Sequence, residues 1–457
     1  MKSYRYSVLA VVCLSASLVP FTGSSVNLAL PQISEELKMN AVALGWIVTA
    51  FLLASAIFQI PFARVGDMFG RKKILTTGVI LFSLASVACA LSPTGNLLIA
   101  ARFVQGIASA MLFGVNMAIV TSVFPANERG KALGINTAVI YFAIASGPFF
   151  GGMLTHYWGW RSIFMVTACL GLLALIGIFT VLKDEWINAK GERYDWWGTL
   201  IYAFGLSAVI YGCSRLPSAL GFSLIAAGIV AFAVFVHYEK KQSAPVFNMN
   251  MFLSNRIFRM SSFAALINYA ATFAIGFMLS LYLQYIKGFD AQKAGMVLII
   301  QPVVQTIISP LAGKWSDKAS AAHIATLGMI IIVVCLLTML FLTPDTSLVM
   351  LIAILTVLGT GFALFSSPNV NVIMGSVDKS YLGMASATTG TMRLTGQSIS
   401  MGITMMMIAI FVGKTRITVE NHSLFMNCLH CTFGIFVALC ILGVYTSMVR
   451  NNQKANH

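Results

Sequence analysis

Gly66-Asp67-Met68-Phe69-Gly70-Arg71-Lys72-Lys73 is a short basic turn between two long apolar runs, with one acid set against three cations. A fainter version returns 250 residues later as Gly313-Lys314-Trp315-Ser316-Asp317-Lys318, again between apolar runs. Gly70 suits the tight turn. Asp67 is placed to cap a neighbouring helix N-terminus and to pair with a cation. A charged hinge that recurs in both halves of a very apolar chain points to a membrane transporter built from two related helical bundles.

Composition narrows the fold in the same direction. Of the 457 residues, 58% are hydrophobic and only 9% are charged, against about a quarter charged in soluble domains. Apolar runs of roughly 18 residues or more recur along the whole length, which predicts an all-α integral membrane protein. A closed barrel would alternate apolar and polar residues, and these runs do not. The net charge of +15 sits in short loops between spans, where it sets topology rather than binding nucleic acid. Lys2 and Arg5 precede the first apolar run, which reads as an uncleaved first helix. The eight cysteines fall in or beside apolar segments and read as small core residues. No cofactor or metal pattern is present, Cys428-x-x-Cys431 having no second ligand cluster.

Fourteen spans follow from the apolar runs, roughly 7–30, 43–63, 74–91, 97–123, 130–155, 162–182, 197–215, 220–238, 258–284, 291–314, 321–342, 347–373, 382–411 and 424–448. With the N-terminus in the cytoplasm, 20 Lys and Arg fall in inside segments and 7 in outside segments, while Arg102 and Arg393 lie within spans. This asymmetry predicts cytoplasmic termini in a multi-pass cell-membrane protein. Taking spans 7 and 8 as an insertion makes spans 9–14 repeat spans 1–6. The predicted units are a six-helix bundle over 1–182, two inserted spans with their linkers over 183–256, and a second six-helix bundle over 257–457.

The motifs in this frame resemble the major facilitator superfamily, specifically its fourteen-span drug:proton antiporter branch. In the loop after span 2 the superfamily pattern is Gly-x-x-x-Asp-(Arg/Lys)-x-Gly-(Arg/Lys)-(Arg/Lys). Here Ala63 replaces the first Gly and Met68 replaces a cation, while Asp67, Gly70, Arg71 and Lys72 match. The resemblance implies a cytoplasmic conformational gate made of these residues with Asp317, Glu128, Arg129 and Arg393, the last placed at the cytoplasmic end of span 13. In span 5, Gly147-Pro148-Phe149-Phe150-Gly151-Gly152 matches the antiporter motif, which by resemblance marks exporters. Its small residues allow close helix approach, and Pro148 bends the span. In span 4, Arg102 of Ala101-Arg102-Phe103-Val104-Gln105-Gly106 lies in hydrocarbon, where a lone cation costs at least about 2.5–3.5 kcal/mol, so it must face a cavity or a partner. Relatives place this Arg in the transport path. Trp158-Gly159-Trp160-Arg161 at the start of span 6 reads as a structural turn.

At the end of span 1, Val26-Asn27-Leu28-Ala29-Leu30-Pro31 follows the family pattern, but the preceding Asp that relatives use as a proton carrier is Thr22 here. On the predicted map all fourteen acidic residues lie in loops or at membrane edges, and none near the midplane. A proton antiporter usually keeps a desolvated carboxylate there. Two accounts of Arg102 stand side by side. Neutral groups such as Thr22, Asn27, Gln105 or backbone carbonyls solvate it, or it recruits an anionic substrate. The expected transport path comprises Arg102, Gln105, Thr22, Asn27, Tyr141, Asn268, Gln301 and Asn369, with Gln59, Asn116, Asn136, Tyr269, Phe273, Gln305, Phe365 and Asn371 as further wall candidates.

The resulting expectation is a secondary-active efflux transporter for small amphipathic compounds, drugs or toxic metabolites, with protons as the coupling ion implied by resemblance. The alternative is a dedicated exporter or facilitator of a neutral or anionic metabolite without such coupling. A membrane sensor that keeps the transporter fold belongs to another class. An enzyme would need a convergent nucleophile, base or metal cluster, and the sequence has none. Relatives in double-membraned bacteria also work with periplasmic adaptors, and nothing in this sequence decides that point.

Overall fold

The computed structural model describes residues 2–125, 128–187, 194–242, 249–377, 382–413, 415, 417 and 421–451. Among them fourteen helices are long and apolar enough to cross a membrane: Tyr4–Glu36, Ala41–Phe69, Arg71–Ala90, Gly95–Val123, Lys131–Trp158, Arg161–Val181, Trp196–Arg215, Ala219–Glu239, Arg256–Ile286, Ala291–Ser316, Ala321–Met339, Leu348–Gly375, Thr388–Phe411 and His422–Met448. They are numbered spans 1–14 in that order, and the number and sequence positions agree with the apolar runs. Several extend a turn or two beyond them because polar caps carry the helix past its apolar stretch. Asn40, Thr94, Ser218, Asn255, Asp290 and Ser347 each accept a hydrogen bond from a backbone N–H three residues on. A short helix, Met249–Ser254, precedes span 9 where a plain linker was expected. Span 9 closes in a π-helical turn, Tyr282–Ile286.

Spans 1–6 pack together through pairs 2·4, 1·5, 3·4 and 3·6, and spans 9–14 do so through pairs 10·12, 9·13, 11·12 and 11·14. Equivalent pairs recur in the two sets, as two related bundles require. Spans 7 and 8 form a hairpin whose span 7 lies against both span 2 and span 13. Tyr202 makes this concrete, since its hydroxyl donates to the Ala56 carbonyl oxygen of span 2 (3.4 Å) and also engages Thr395 of span 13. The inserted hairpin therefore seals one flank of the interface between the bundles.

Candidate functional site

The charged turn after span 2 is built by short-range geometry. Span 2 ends at Phe69 and span 3 starts at Arg71, so Gly70 alone makes the turn, at φ +120°. That backbone region is strained for any residue with a Cβ. Arg71 is nearly buried and pairs with Asp67 one helical turn earlier, Nη2 to Oδ1 at 2.6 Å. Its Nη1 donates to the Ala118 carbonyl (3.0 Å) and the Ser122 hydroxyl (2.6 Å) of span 4.

The expected helix cap is made by a different acid. Asp67 is drawn to Arg71, and the carboxylate over the start of span 3 belongs to Glu185, beyond span 6. Its Oε1 accepts from the Lys72 backbone N–H at 2.7 Å, while the Arg71 N–H donates to the Trp186 carbonyl oxygen. A Cβ built on Gly70 would stand 2.6 Å from the Glu185 carboxyl carbon. Glycine here thus provides both the turn and the seat for the acid.

The remaining gate candidates do not join this cluster. Glu128 lies 3.7 Å from Arg5, and Arg129 donates to the Phe124 carbonyl oxygen, all within the first bundle. The side chain of Asp317 lies outside the described residues. Arg393 is the clearest displacement from expectation. Its helix runs Leu382–Phe411, so Arg393 sits eleven residues in, about 16 Å from the helix start at 1.5 Å per residue, near the middle of a roughly 30 Å hydrocarbon slab.

Arg102 is 1% exposed and satisfied by neutral groups. Its Nε donates to the Ile47 carbonyl oxygen (3.1 Å), Nη1 donates to Gln105 Oε1, and the guanidinium stacks 4.2 Å over the Phe51 ring. Gln105 passes the chain on to Ser86 of span 3 at 2.8 Å. Full desolvation is tolerable because hydrogen bonds and a ring face replace water. Arg102 and Gln105 therefore sit inside the first bundle, among spans 2, 3 and 4. Thr22 faces span 6, contacting Thr167 at 3.1 Å with no exposure. Asn116 and Asn136 bond one another and the Val12 carbonyl across spans 1, 4 and 5. Asn369 donates to Ser261 O of span 9. These groups hold helices together.

The space between the bundles has a different character. Arg393 of span 13 is half-buried and stacks over Phe113 of span 4, 5.3 Å from the ring centroid. Tyr269 of span 9 lies within electrostatic range of Arg393, and Tyr141 of span 5 within that of Tyr269. Gly396, one turn beyond Arg393, brings span 13 against span 9 so closely that a Cβ there would lie 2.9 Å from Tyr269 Cβ. Gln59 of span 2 reaches the backbone of Gly390, one turn before Arg393, with its Oε1 buried and unpartnered. Gln301 and Gln305 bond each other on span 10, both half-buried. Asn27 Oδ1 and both polar side-chain atoms of Asn268 are buried without partners. Of the expected path residues, Tyr141 is linked to this group only through Tyr269. Phe113 was missed, because a lone Phe in an apolar helix carries no signal in the sequence.

At the end opposite the charged turn the bundles press together. A Cβ on Gly152 of span 5 would stand 2.4 Å from the Ala291 carbonyl oxygen of span 10, and one on Gly295 would stand 2.2 Å from the Pro148 carbonyl oxygen. The span-5 motif is thus a crossing between bundles at Pro148 and Gly152, while Gly147 and Gly151 press on Ser24 and Ser25 of span 1. Ser280 donates to the Asn27 carbonyl oxygen (2.7 Å), Thr49 meets Met405, and His156 lies 4.0 Å from Asp290. The Trp160-Arg161 turn is structural, as expected: Trp160 Nε1 donates to Glu36 (2.6 Å), which also pairs with Arg161. Every described Asp and Glu lies in the last turn of a span or beyond it, so among the described residues no carboxylate enters the interior.

Comparison with known proteins agrees with this architecture. The sequence model of the Major Facilitator Superfamily matches residues 12–401. The chain is 29% identical to the riboflavin transporter RibZ of Clostridioides difficile, over 85% of each chain. It is 30% identical to the multidrug resistance protein Stp of Mycobacterium tuberculosis, over 85% of this chain and 73% of that one. Against the methylenomycin A resistance protein of Bacillus subtilis it is 27% identical, over 87% and 86%. Among solved structures, a bacterial homologue of the human lysosomal transporter Spinster, inward-facing and unoccupied, superposes with a TM-score of 0.73 at 17% identity, covering 99% and 98% of the two chains.

Proposed function

The chain belongs to the Major Facilitator Superfamily, and from that premise we propose that it is a secondary-active exporter of small amphipathic compounds. It works in the cytoplasmic membrane by alternating access, with both termini in the cytoplasm. The 20-to-7 distribution of Lys and Arg supports this orientation. The observation that carries the reading is the asymmetry of the interface. The bundles meet through Gly152, Gly295 and Ser280 at one end. At the other, Asp67 and Arg71 bond within the first bundle. In the proposed orientation this is the inward-open state of a rocking carrier, and the Asp67 turn engages the second bundle when that end closes.

A second reading is favoured by a specific observation: Arg102 and Arg393 lie well inside their spans, while every described carboxylate lies in the last turn of a span or beyond it. On it the substrate is neutral or anionic and classical proton coupling is absent. Robust rescue of cells from quaternary ammonium toxicity would sink that reading. The deciding experiment is compound-driven proton movement in proteoliposomes under an imposed pH gradient, comparing the wild type with Arg393→Gln and Asp67→Asn. Proton flux coupled to a test compound supports antiport without the span-1 acid. Export without proton flux supports a facilitator.

A further inference from the structure

We propose that Phe113, Tyr141, Tyr269 and Arg393, with Gln59 at their edge, form the binding site for a planar aromatic compound carrying a negative charge. The inference rests on the reading that the space between the bundles is the transport path, and it names the chemistry this path accepts.

Four independent helices contribute, two from each bundle: Phe113 from span 4, Tyr141 from span 5, Tyr269 from span 9 and Arg393 from span 13. Depth agrees among them. Counting from the helix ends nearest the Asp67 turn, Phe113 lies ten residues from Val123, Tyr141 twelve from Arg129, Tyr269 thirteen from Arg256 and Arg393 eleven from Leu382. At 1.5 Å per residue these are all about 15–20 Å deep, so they share one level near the membrane centre. Helices from opposite bundles presenting rings and a cation at one level form an enclosure that rocking would open.

The chemistry follows from what Arg393 has and lacks. Unlike Arg102, which donates to a carbonyl and an amide oxygen, Arg393 has a ring face on one side, and no described carboxylate lies within ion-pair distance of it. It is half-buried, so its planar fork of donors is available to a ligand. An anion bound bidentately satisfies that fork in low dielectric. Three flanking rings offer stacking surfaces for an aromatic body, and the two phenol hydroxyls add polar handles. The orphaned Gln59 Oε1 supplies one acceptor. A lipophilic cation would meet the guanidinium with no carboxylate to offset it.

The test uses a pair of dyes sharing a planar xanthene scaffold, anionic fluorescein and cationic rhodamine 6G. Their equilibrium binding to the full chain in nanodiscs is read by fluorescence anisotropy at alkaline pH. Fluorescein is expected to bind at least about tenfold more tightly than rhodamine 6G. Arg393→Gln is expected to weaken fluorescein by about 10–100-fold, the range for a charged hydrogen bond, leaving rhodamine 6G unchanged or improved. Arg393→Lys, which keeps the charge without the fork, falls between. Phe113→Leu keeps the charge and the apolar volume, and is expected to weaken both dyes. It provides a second reading should Arg393→Gln fail to fold. Equal binding of the two dyes, or fluorescein affinity indifferent to Arg393→Gln, overturns the proposal. Binding is measured without transport, so failure of the export reading remains distinguishable: a chain that binds fluorescein through Arg393 yet never moves it keeps the site and loses the exporter.

Discussion

The crossing of spans 5 and 10 allows a prediction that separates folding from conformational state. Introducing a methyl group by Gly295→Ala places a Cβ 2.2 Å from the Pro148 carbonyl oxygen, and Gly152→Ala places one 2.4 Å from that of Ala291. A carbon–oxygen contact settles near 3.3–3.6 Å, so the helices must separate by about 1 Å. Both obstructing atoms are backbone, and no rotamer change relieves them. Overpacking of this kind costs about 1–3 kcal/mol. That cost falls on the state with this end closed, because the two helices belong to different bundles. The replacement of Gly by Ala also favours each helix by up to about 1 kcal/mol, equally in both states.

The expected result is therefore a population shift of about 5–150-fold away from the closed end, with thermal stability unchanged or raised. Electron–electron distance measurements between spin labels at His156→Cys and Asp290→Cys would read it, with the exposed Cys169 and Cys431 replaced. A long-distance component should grow in Gly295→Ala and dominate in Gly295→Leu. Gly276→Ala in span 9, where a Cβ meets nothing within 4 Å, is the control. Unchanged distances in both Gly295 variants would refute the reasoning. So would a collapse in melting temperature, which would mark a fixed core contact rather than a separable one.

Two further outcomes follow from burial and capping. Arg102→Ala removes the donor to Gln105 and leaves a cavity beside Phe51, and is expected to cost about 2–5 kcal/mol of stability. Arg102→Met, which refills the volume, should cost less than about 2 kcal/mol, so equal thermal unfolding of the two variants would contradict the packing described. Glu185→Ala removes the carboxylate from the start of span 3, a loss of about 0.5–2 kcal/mol localised to that turn. Hydrogen exchange at the Arg71 and Lys72 amides should accelerate, and an unchanged rate there would mean the cap carries no weight.

What could be read in advance depended on how local each signal was. Fourteen spans were legible because apolar length alone specifies them. Likewise, Asp67 and Arg71 are four residues apart, so their pairing follows from helical spacing. Glu185 is 113 residues from Lys72, and nothing near the turn announces it. Gln105 was among the neutral acceptors foreseen for Arg102, being one turn away. The Ile47 carbonyl and the Phe51 ring come from span 2 and needed the tertiary packing. Thr22 was expected on the path because relatives carry a functional acid there, yet the packing of span 1 on span 6 turns it toward Thr167. The depth of Arg393 was legible in principle. The predicted start of span 13 already placed it eleven residues in, and assigning it to the helix end by resemblance overrode that count.

Arg102 and Arg393 also bear on how transport could be coupled. A group that carries a proton across must titrate in the working range and must face the path in both states. Arg102 meets neither condition: a guanidinium stays protonated, and its partners are a carbonyl, an amide and a ring. Thr22 and Thr167 do not ionise. The described carboxylates sit at the ends of spans, where Asp67 is held by Arg71 and Glu185 by the start of span 3. The interior thus offers a fixed positive charge at Arg393 and neutral hydrogen-bonding groups around it. A neutral acid entering that site would lose its proton more readily beside the guanidinium. In such a carrier the substrate itself is the titrating group, and proton movement follows the substrate's own charge state rather than any residue of the chain. Transport of a permanently charged anion would then show no proton coupling, while a weak acid of the same shape would. Comparing a sulfonate with the matching carboxylate in one proteoliposome preparation tests this argument, and equal coupling for both would contradict it.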